Sequence, residues 1–333
     1  MDKKQRNRIA ILGALHKIGS PANSVGLAKF LGAAGHNLSE RTVRLYLSEL
    51  DCEGLTKQHG KKRIITEKGA AELHATHTFQ RVGCLSAKID QMAYSMTFDL
   101  VTRTGLVVVN LSVVDPRQLA ACLDTVCKVF ARGYAMGSLL ALLAPGESLG
   151  NWTVPSDKVG FCTVCSITLN GVLMKHGVPT TSRFGGLLEL RDGLPTRFVE
   201  MIHYDGTSID PLEIFIRSGM TDYCGAVRDG NGLIGAGFRE MPANSRDLAV
   251  QLADRVSAIG LGGFMEIGWP DQPVLEVPVT PGRIGVVMIG GLNPIAVLEE
   301  RGHRVHSRAL AGLLEYNRLI HFDEFPKTLA QYL

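Results

Sequence analysis

A pattern is written twice in this chain. Lys158-Val159-Gly160-Phe161 returns as Arg283-Ile284-Gly285-Val286, a shift of 125 positions. Downstream, Leu169-Asn170-Gly171 matches Leu292-Asn293-Pro294, Gly177 matches Gly302, Ser182-Arg183 matches Ser307-Arg308, and Gly186-Leu187-Leu188-Glu189 matches Gly312-Leu313-Leu314-Glu315. Upstream, Gly105-Leu106 matches Gly232-Leu233, and Arg117-Gln118-Leu119-Ala120 matches Arg246-Asp247-Leu248-Ala249. Each copy reads as a strand (Gly105 to Val114; Gly232 to Glu240), a long helix (Pro116 to Ala131; Ser245 to Ala258), a second strand, a Gly- or Cys-bearing turn, a shorter helix and an extended apolar segment. One such unit leaves a sheet or helix face uncovered, so two should pack against each other. The expectation is an internally duplicated α/β effector domain with pseudo-twofold symmetry. Its repeats would span 81–206 and 207–333, with a ligand cleft between them.

Residues 1–80 read differently. Ile11, Leu15 and Ile18 fall on one helical face before Gly19-Ser20-Pro21, and Val25, Leu27, Ala28 and Leu31 make a second short apolar run before Gly35-His36-Asn37. Ser39 suits the N-cap of a third helix whose core stripe is Val43, Leu47 and Leu50. Arg41, Arg44 and Ser48 share another face of that helix, with Thr42 beside them. Two short strands then flank a turn at Gly60, with Lys61, Lys62 and Arg63 at its tip, and a closing helix is expected from Glu67 to Thr78. This order is that of a winged helix-turn-helix, in which the third helix enters the major groove and wing cations meet phosphate. The candidate DNA-binding residues are Ser39, Arg41, Thr42, Arg44, Lys61, Lys62 and Arg63. Arg41 or Arg44 could fork to guanine or only touch phosphate, and the charged loop could equally be a solvated surface.

Charge is divided the same way. Residues 1–80 hold 13 Lys+Arg and 7 Asp+Glu, whereas the other 253 residues hold 22 and 25. A basic head on a slightly acidic body fits double-stranded DNA as partner. No apolar run reaches the ~18 residues of a membrane span, and the opening MDKKQRNRIA is too charged to lead into a secretory segment. A cytoplasmic protein without membrane contact is expected. Its seven cysteines, an odd number, would be reduced thiols.

Two strand-to-helix junctions carry the unusual residues. Gly290-Gly291-Leu292-Asn293-Pro294 puts glycines where a ligand could approach free backbone N–H groups. Its counterpart is Cys162-Thr163-Val164-Cys165-Ser166, followed by Asn170. The CxxC spacing admits metal or redox chemistry, but one pair is half of a four-thiolate site, so no metal or cofactor is assigned. Arg183 follows Thr180, Thr181 and Ser182, and the other copy offers His306-Ser307-Arg308. A guanidinium beside hydroxyls suits a carboxylate, although either arginine could instead be a structural ion pair. Anion features in duplicate favour a small dicarboxylate effector. His203, Asp205 and Asp210 read as turn and cap residues, and no nucleophile, base and acid occur in a recognised spacing, so the chain is not expected to be an enzyme.

Four blocks, Cys162-Thr163-Val164-Cys165-Ser166-Ile167-Thr168-Leu169-Asn170-Gly171, Thr181-Ser182-Arg183-Phe184-Gly185-Gly186-Leu187, Asp210-Pro211-Leu212-Glu213 and Gly290-Gly291-Leu292-Asn293-Pro294, give the chain a further identity. Through them it resembles, over almost its full length, the NrpR family of nitrogen-regulation repressors. The resemblance implies a homodimer that binds palindromic operators of nitrogen-assimilation genes and is released by 2-oxoglutarate. Two other readings remain open: an enzyme acting on a keto acid at the CxxC turn under a regulatory head, and a co-regulator whose winged helix binds protein.

Overall fold

The computed structural model describes residues 3–73 and 85–333, and the chain divides into two compact units, 1–83 and 84–333. The first contains α1 (Lys3–Ile18), α2 (Ser24–Ala33), α3 (Glu40–Cys52), a hairpin of β1 (Thr56–His59) and β2 (Lys62–Ile65), and helix α4 over residues 67–73. The rest of the expected closing helix, the 80/81 boundary and Cys84 fall outside the described residues. Ile11, Leu15, Leu27, Leu31, Val43, Leu47 and Leu50 are all under 5% exposed and form one core, to which Ile18 and Ala28 add from its edge. Val25, expected inside, is 58% exposed. Leu27 and Leu31 fix the buried side of α2, and Val25 precedes Leu27 by two residues, about 200° around the helix. The hairpin register pairs His59 with Lys62, leaving Gly60 and Lys61 as its loop, and Gly60 has φ of 62°, which an L side chain would resist.

The second unit begins with α5 (Leu85–Ser95), β3 (Leu106–Val114), α6 (Pro116–Ala131), β4 (Leu139–Leu143), β5 (Ser148–Leu149) and β6 (Trp152–Thr153). It continues through β7 (Val159–Val164), α7 (Ile167–Lys175), β8 (Thr181–Arg191), β9 (Leu194–His203), α8 (Pro211–Arg217), α9 (Tyr223–Asp229), β10 (Gly232–Pro242) and α10 (Arg246–Ser257). The chain closes with β11 (Phe264–Ile267), β12 (Arg283–Ile289), α11 (Asn293–Glu300), β13 (His306–Glu315), β14 (Ile320–His321) and α12 (Phe325–Leu329). The helix expected from Pro116 to Ala131 forms over that span, with Asp115 capping it: its carboxylate accepts the Arg117 N–H at 2.9 Å, and Pro116 occupies the first turn.

Two five-stranded sheets result, ordered β13-β3-β7-β4-β14 and β11-β12-β10-β8-β9. Both run the same way through the repeated elements: β13-β3-β7-β4 in one corresponds to β8-β10-β12-β11 in the other. The strands that end each half therefore cross over, β8 with β9 from the first and β13 with β14 from the second. β8, from the first half, pairs with β10, and β13, from the second, pairs with β3. Cutting the chain at 206/207 would strip each sheet of two strands, β8 and β9 from one and β13 and β14 from the other, so neither 81–206 nor 207–333 builds a whole sheet alone.

The exchange explains why β3 and β10 read as apolar runs rather than alternating ones. Each is central, flanked on both sides by paired strands, and buried on both faces. Their polar residues stand out accordingly: Asn110 and Ser112 in β3, Arg239 and Glu240 in β10, all at or under 2% exposed. No helix among the described residues is long and apolar enough to cross a membrane.

Candidate functional site

In the first unit, Ser39 Oγ accepts the Thr42 N–H at 3.2 Å and lies 2.8 Å from Thr42 Oγ1, so these two hydroxyls start α3. Arg41, Arg44 and Ser48 are exposed on one side of that helix, opposite Val43, Leu47 and Leu50. Arg44 pairs with Glu40 one turn earlier, and Glu40 also accepts from Ser24 Oγ at 3.1 Å. Such an exposed pair is weak and exchanges readily for phosphate. Lys61 and Lys62 project from the hairpin tip into solvent. Arg63 does not. Its Nε donates to Asp51 Oδ2 at 2.6 Å, Thr56 Oγ1 donates to the other oxygen at 2.6 Å, and the Arg63 backbone pairs with Ala22. Arg63 thus ties the hairpin to the end of α3, and the free wing cations are its neighbours.

In the second unit the junction after β7 is closed around a buried arginine. Arg239 of β10 is fully buried; its Nε donates to Asn170 Oδ1 at 2.8 Å and one Nη donates to Ser166 Oγ at 2.9 Å. Asn170 Nδ2 in turn donates to Ser182 Oγ at 3.0 Å. The other terminal nitrogen, Nη1, is buried with no hydrogen-bond partner among the described residues. Burial pulls the Arg239 guanidinium below its usual range, against the pull of Tyr204, Cys165 and Asp210 nearby. Asp210 is the acid whose charge acts on Arg239. Its carboxylate caps α8 by accepting the Leu212 N–H at 2.9 Å, and burial pushes its pKa up to about 6.

The cysteines of this junction are both free, buried thiols. Burial raises Cys162 to about 12 and Cys165 to about 11, and the charges around them differ: Arg318 and Glu147 near the first, Asp210 and Arg239 near the second. Both thiols stay protonated at neutral pH, unlike metal-ligating or nucleophilic sulfur. Thr163 accepts from Asn110 Nδ2 at 3.3 Å within the sheet.

The junction after β12 is packed by the chain itself. A Cβ on Gly291 would lie 2.4 Å from Asn110 Nδ2 and from the Val164 carbonyl, and one on Gly290 2.1 Å from Leu212 Cδ2. The glycines expected to admit a ligand instead admit β3, β7 and α8. Asn293 is fully buried and donates to the carbonyls of Tyr134 and Gly235 at 2.8 and 2.9 Å.

The paired arginines of the repeat are engaged alike. Arg183 Nη1 meets the buried Glu240 carboxylate at 2.5 Å, and Arg308 meets the buried Glu213 at 3.4 Å while its guanidinium stands 5.1 Å over Trp152. Ser307 bonds Ser112 at 2.9 Å, His306 is exposed, and Thr181 accepts from Arg283 at 2.9 Å. Each arginine nevertheless lines a surface hollow beside α5. One, of about 310 Å³, is bordered by Thr181, Ser182, Arg183 and His203. The other, of about 260 Å³, is bordered by Trp152, Asp210, Glu213 and Arg308.

Residues 82–321 match the family model of NrpR regulatory domains NRD1 and 2. The chain belongs to the NrpR family. Its N-terminal residues 9–73 match the model of the ribonuclease R winged-helix domain, in keeping with the helices and hairpin described above. Among curated proteins it is similar to the global nitrogen regulator NrpRI of Methanosarcina mazei, 30% identical over 95% of this chain and 97% of that one. It is also similar to the global nitrogen regulators NrpR of Methanococcus maripaludis and Methanocaldococcus jannaschii, 29% and 30% identical over 93% and 97% of this chain. The matched region spans only 54% and 56% of those two proteins. All three are named as regulators, not enzymes. A crystal structure of a nitrogen repressor-like protein from Methanococcus jannaschii superposes with a TM-score of 0.61 at 25% identity, covering 72% of this chain and 99% of that one.

In this NrpR regulatory unit, the sequence names Ser166, Asn170 and Ser182 as candidates but not Arg239, which bonds Ser166 and Asn170 directly and reaches Ser182 through Asn170. The signal was present: one arginine in the apolar run Gly235-Ala236-Gly237-Phe238-Arg239, inside a strand expected to be buried. Glu213, quoted only within the block Asp210-Pro211-Leu212-Glu213, and Glu240, at the end of an expected strand, carry no local sign that they hold Arg308 and Arg183.

Proposed function

We propose that this NrpR-family chain is a transcriptional repressor of nitrogen-assimilation genes, binding palindromic operator DNA as a homodimer in the cytoplasm and released by 2-oxoglutarate held in the regulatory unit. The observation that carries this reading is the joining, in one chain, of a winged helix with exposed Arg41, Arg44, Lys61 and Lys62 to a unit matched by the NrpR regulatory-domain model. Arg41, Arg44 and Ser48 would face the major groove, and Lys61 and Lys62 the phosphates. Half-sites one helical turn apart lie ~34 Å from centre to centre, so a small effector-induced change in a dimer misplaces one of two recognition helices. A coupling of about 1–3 kcal/mol weakens DNA binding about 5- to 150-fold. The residues proposed for the effector are those of the β7 junction, Ser166 and Asn170 with Ser182. The buried, protonated thiols of Cys162 and Cys165 favour a binding site over keto-acid chemistry at that turn.

Fluorescence anisotropy of a palindromic promoter fragment, with and without millimolar 2-oxoglutarate and with glutarate and succinate as controls, tests the reading. Release by 2-oxoglutarate alone supports it. Tight binding indifferent to all three removes the effector, and no binding in low salt removes the DNA function in favour of a protein-binding co-regulator.

A further inference from the structure

Arg239 is a fully buried cation with an open N–H face. A guanidinium carries five N–H donors, and two are engaged here, one by Asn170 and one by Ser166. The donors on Nη1 have no acceptor among the described residues, and no carboxylate hydrogen-bonds this side chain. Burying such a group without an acceptor is costly, and the two terminal nitrogens of an arginine match the two oxygens of a carboxylate. Nη1 is enclosed beside Gly237 and the Tyr204 side chain, and neither accepts a hydrogen bond from it. A Cβ on Gly237 would stand 2.9 Å from Nη1 and 3.1 Å from Tyr204 Oη, so the bare glycine keeps clear the place on which guanidinium and phenol converge.

The other half of the molecule shows what the same place looks like when it is filled. Arg239 lies between Val286 and Ser182 in its sheet as Ser112 lies between Phe161 and Ser307 in the other. By the same register Gly237 corresponds to Asn110. There, Asn110 occupies the space, donating to Thr163 and accepting the Leu310 N–H at 3.2 Å, while Ser112 bonds Ser307. That place carries no charge and no open donor on Asn110 or Ser112 calls for a ligand; only the Arg239 side combines a charge, an unanswered donor and a missing side chain.

We propose that Arg239 is the carboxylate receptor of the regulatory unit, taking one carboxylate of a small keto diacid across its two terminal nitrogens beside Ser166 and Tyr204. This rests on the effector reading above and assigns it a residue. Ser166 is suited to assist, because it stands at the start of α7 without capping it and accepts from Arg239, which leaves its own proton to donate. The nearest surface hollow by hydrogen-bond connection is the one bordered by Ser182, which Asn170 links to Arg239.

The test is calorimetric titration of the full chain with 2-oxoglutarate, succinate and glutarate, with melting curves of each variant. Gly237→Ala places a methyl group against Nη1 and Tyr204 Oη without removing any hydrogen-bonding group, and Arg239→Lys keeps the charge but loses the fork. The expected result is at least about tenfold weaker binding in both, with Gly237→Ala still folding cooperatively at a lowered melting temperature, because its methyl forces Nη1 to shift. If Arg239→Lys does not fold, Gly237→Ala decides alone. Unchanged affinity in a folded Gly237→Ala overturns the assignment while leaving the effector reading intact. Equal binding of all three diacids by the wild type, lost in Gly237→Ala, removes 2-oxoglutarate as the specific effector and keeps Arg239 as receptor. A wild type that binds none of them overturns both.

Discussion

At the turn after β7, the other sheet supplies Arg239 to Ser166 and Asn170; at the turn after β12, it supplies Asn110, pressed against Gly291, with Ser112 turned to Ser307. The backbone order is shared, and so is the strand exchange that brings each turn against the opposite sheet. Each turn keeps one buried polar atom without a partner, Arg239 Nη1 at the first and Asn293 Oδ1 at the second, and what differs is that the first belongs to a charged group. Around Ser112 the chain answers its polar groups with neutral side chains, which is the inexpensive way to bury polarity. Around Arg239 it leaves a charge partly unanswered, and natural cores keep such a group when something outside the chain completes it.

Moving the charge to the neutral side tests this most severely. Ser112→Arg puts a guanidinium where Asn110 already fills the space and where no cleared face exists, so a loss of about 3–5 kcal/mol is expected. Urea unfolding of the two proteins measures it. If Ser112→Arg folds with near wild-type stability, the two places are equally permissive, and the contrast drawn from Gly237 and Asn110 fails.

A smaller effect concerns Asp210, a half-buried acid on the Arg239 side. Its folded pKa of about 6 lies above the ordinary 3.8, mainly because burial disfavours the carboxylate, with Glu213 adding repulsion and Arg239 easing it. The folded chain therefore holds this proton more tightly than the unfolded one. Its contribution to stability is highest below about pH 4, falls as pH rises to about 6, and is level above. Asp210→Asn removes that dependence, so the variant should gain on the wild type across this window by something on the order of 2–3 kcal/mol. Melting curves at pH 4, 5, 6 and 7 follow it, and a constant difference between the proteins would show that Asp210 does not titrate there.

Much of this was legible in the residues. The repeat, the helix from Pro116 to Ala131, the Ser39 cap and the Gly60 turn all depend on local spacing, and local spacing is what a sequence displays. The crossing of β8 and β13 was not, because a period of 125 residues states that two units exist and not which sheet receives the strands that end each. The same limit explains the glycines after β12: Gly290 and Gly291 signal a close approach, and only the fold shows that Asn110 and Leu212 make it. Arg183 and Arg308 were recognisable as a matched pair, but Glu240 and Glu213, which engage them, sit 57 and 95 residues away.

The smallest effects carry the same contrast, a charge answered by the chain against one left open, into the winged helix. Arg63 is held by Asp51, whereas Lys61 has an exposed side chain at the hairpin tip. If Lys61 meets phosphate, Lys61→Ala should leave the melting temperature unchanged and lower the slope of log affinity against log salt by about 0.9 in magnitude, the share of one neutralised phosphate. Arg63→Ala should behave the other way round. It frees Asp51 and loosens the hairpin from α3, lowering stability by about 1–2 kcal/mol, while the salt slope keeps its wild-type value because every phosphate keeps its cation. Anisotropy at four salt concentrations separates the two. Equal slope changes would mean that Arg63 leaves Asp51 for DNA on binding, and the division between supporting and DNA-facing cations would then hold only for the free protein.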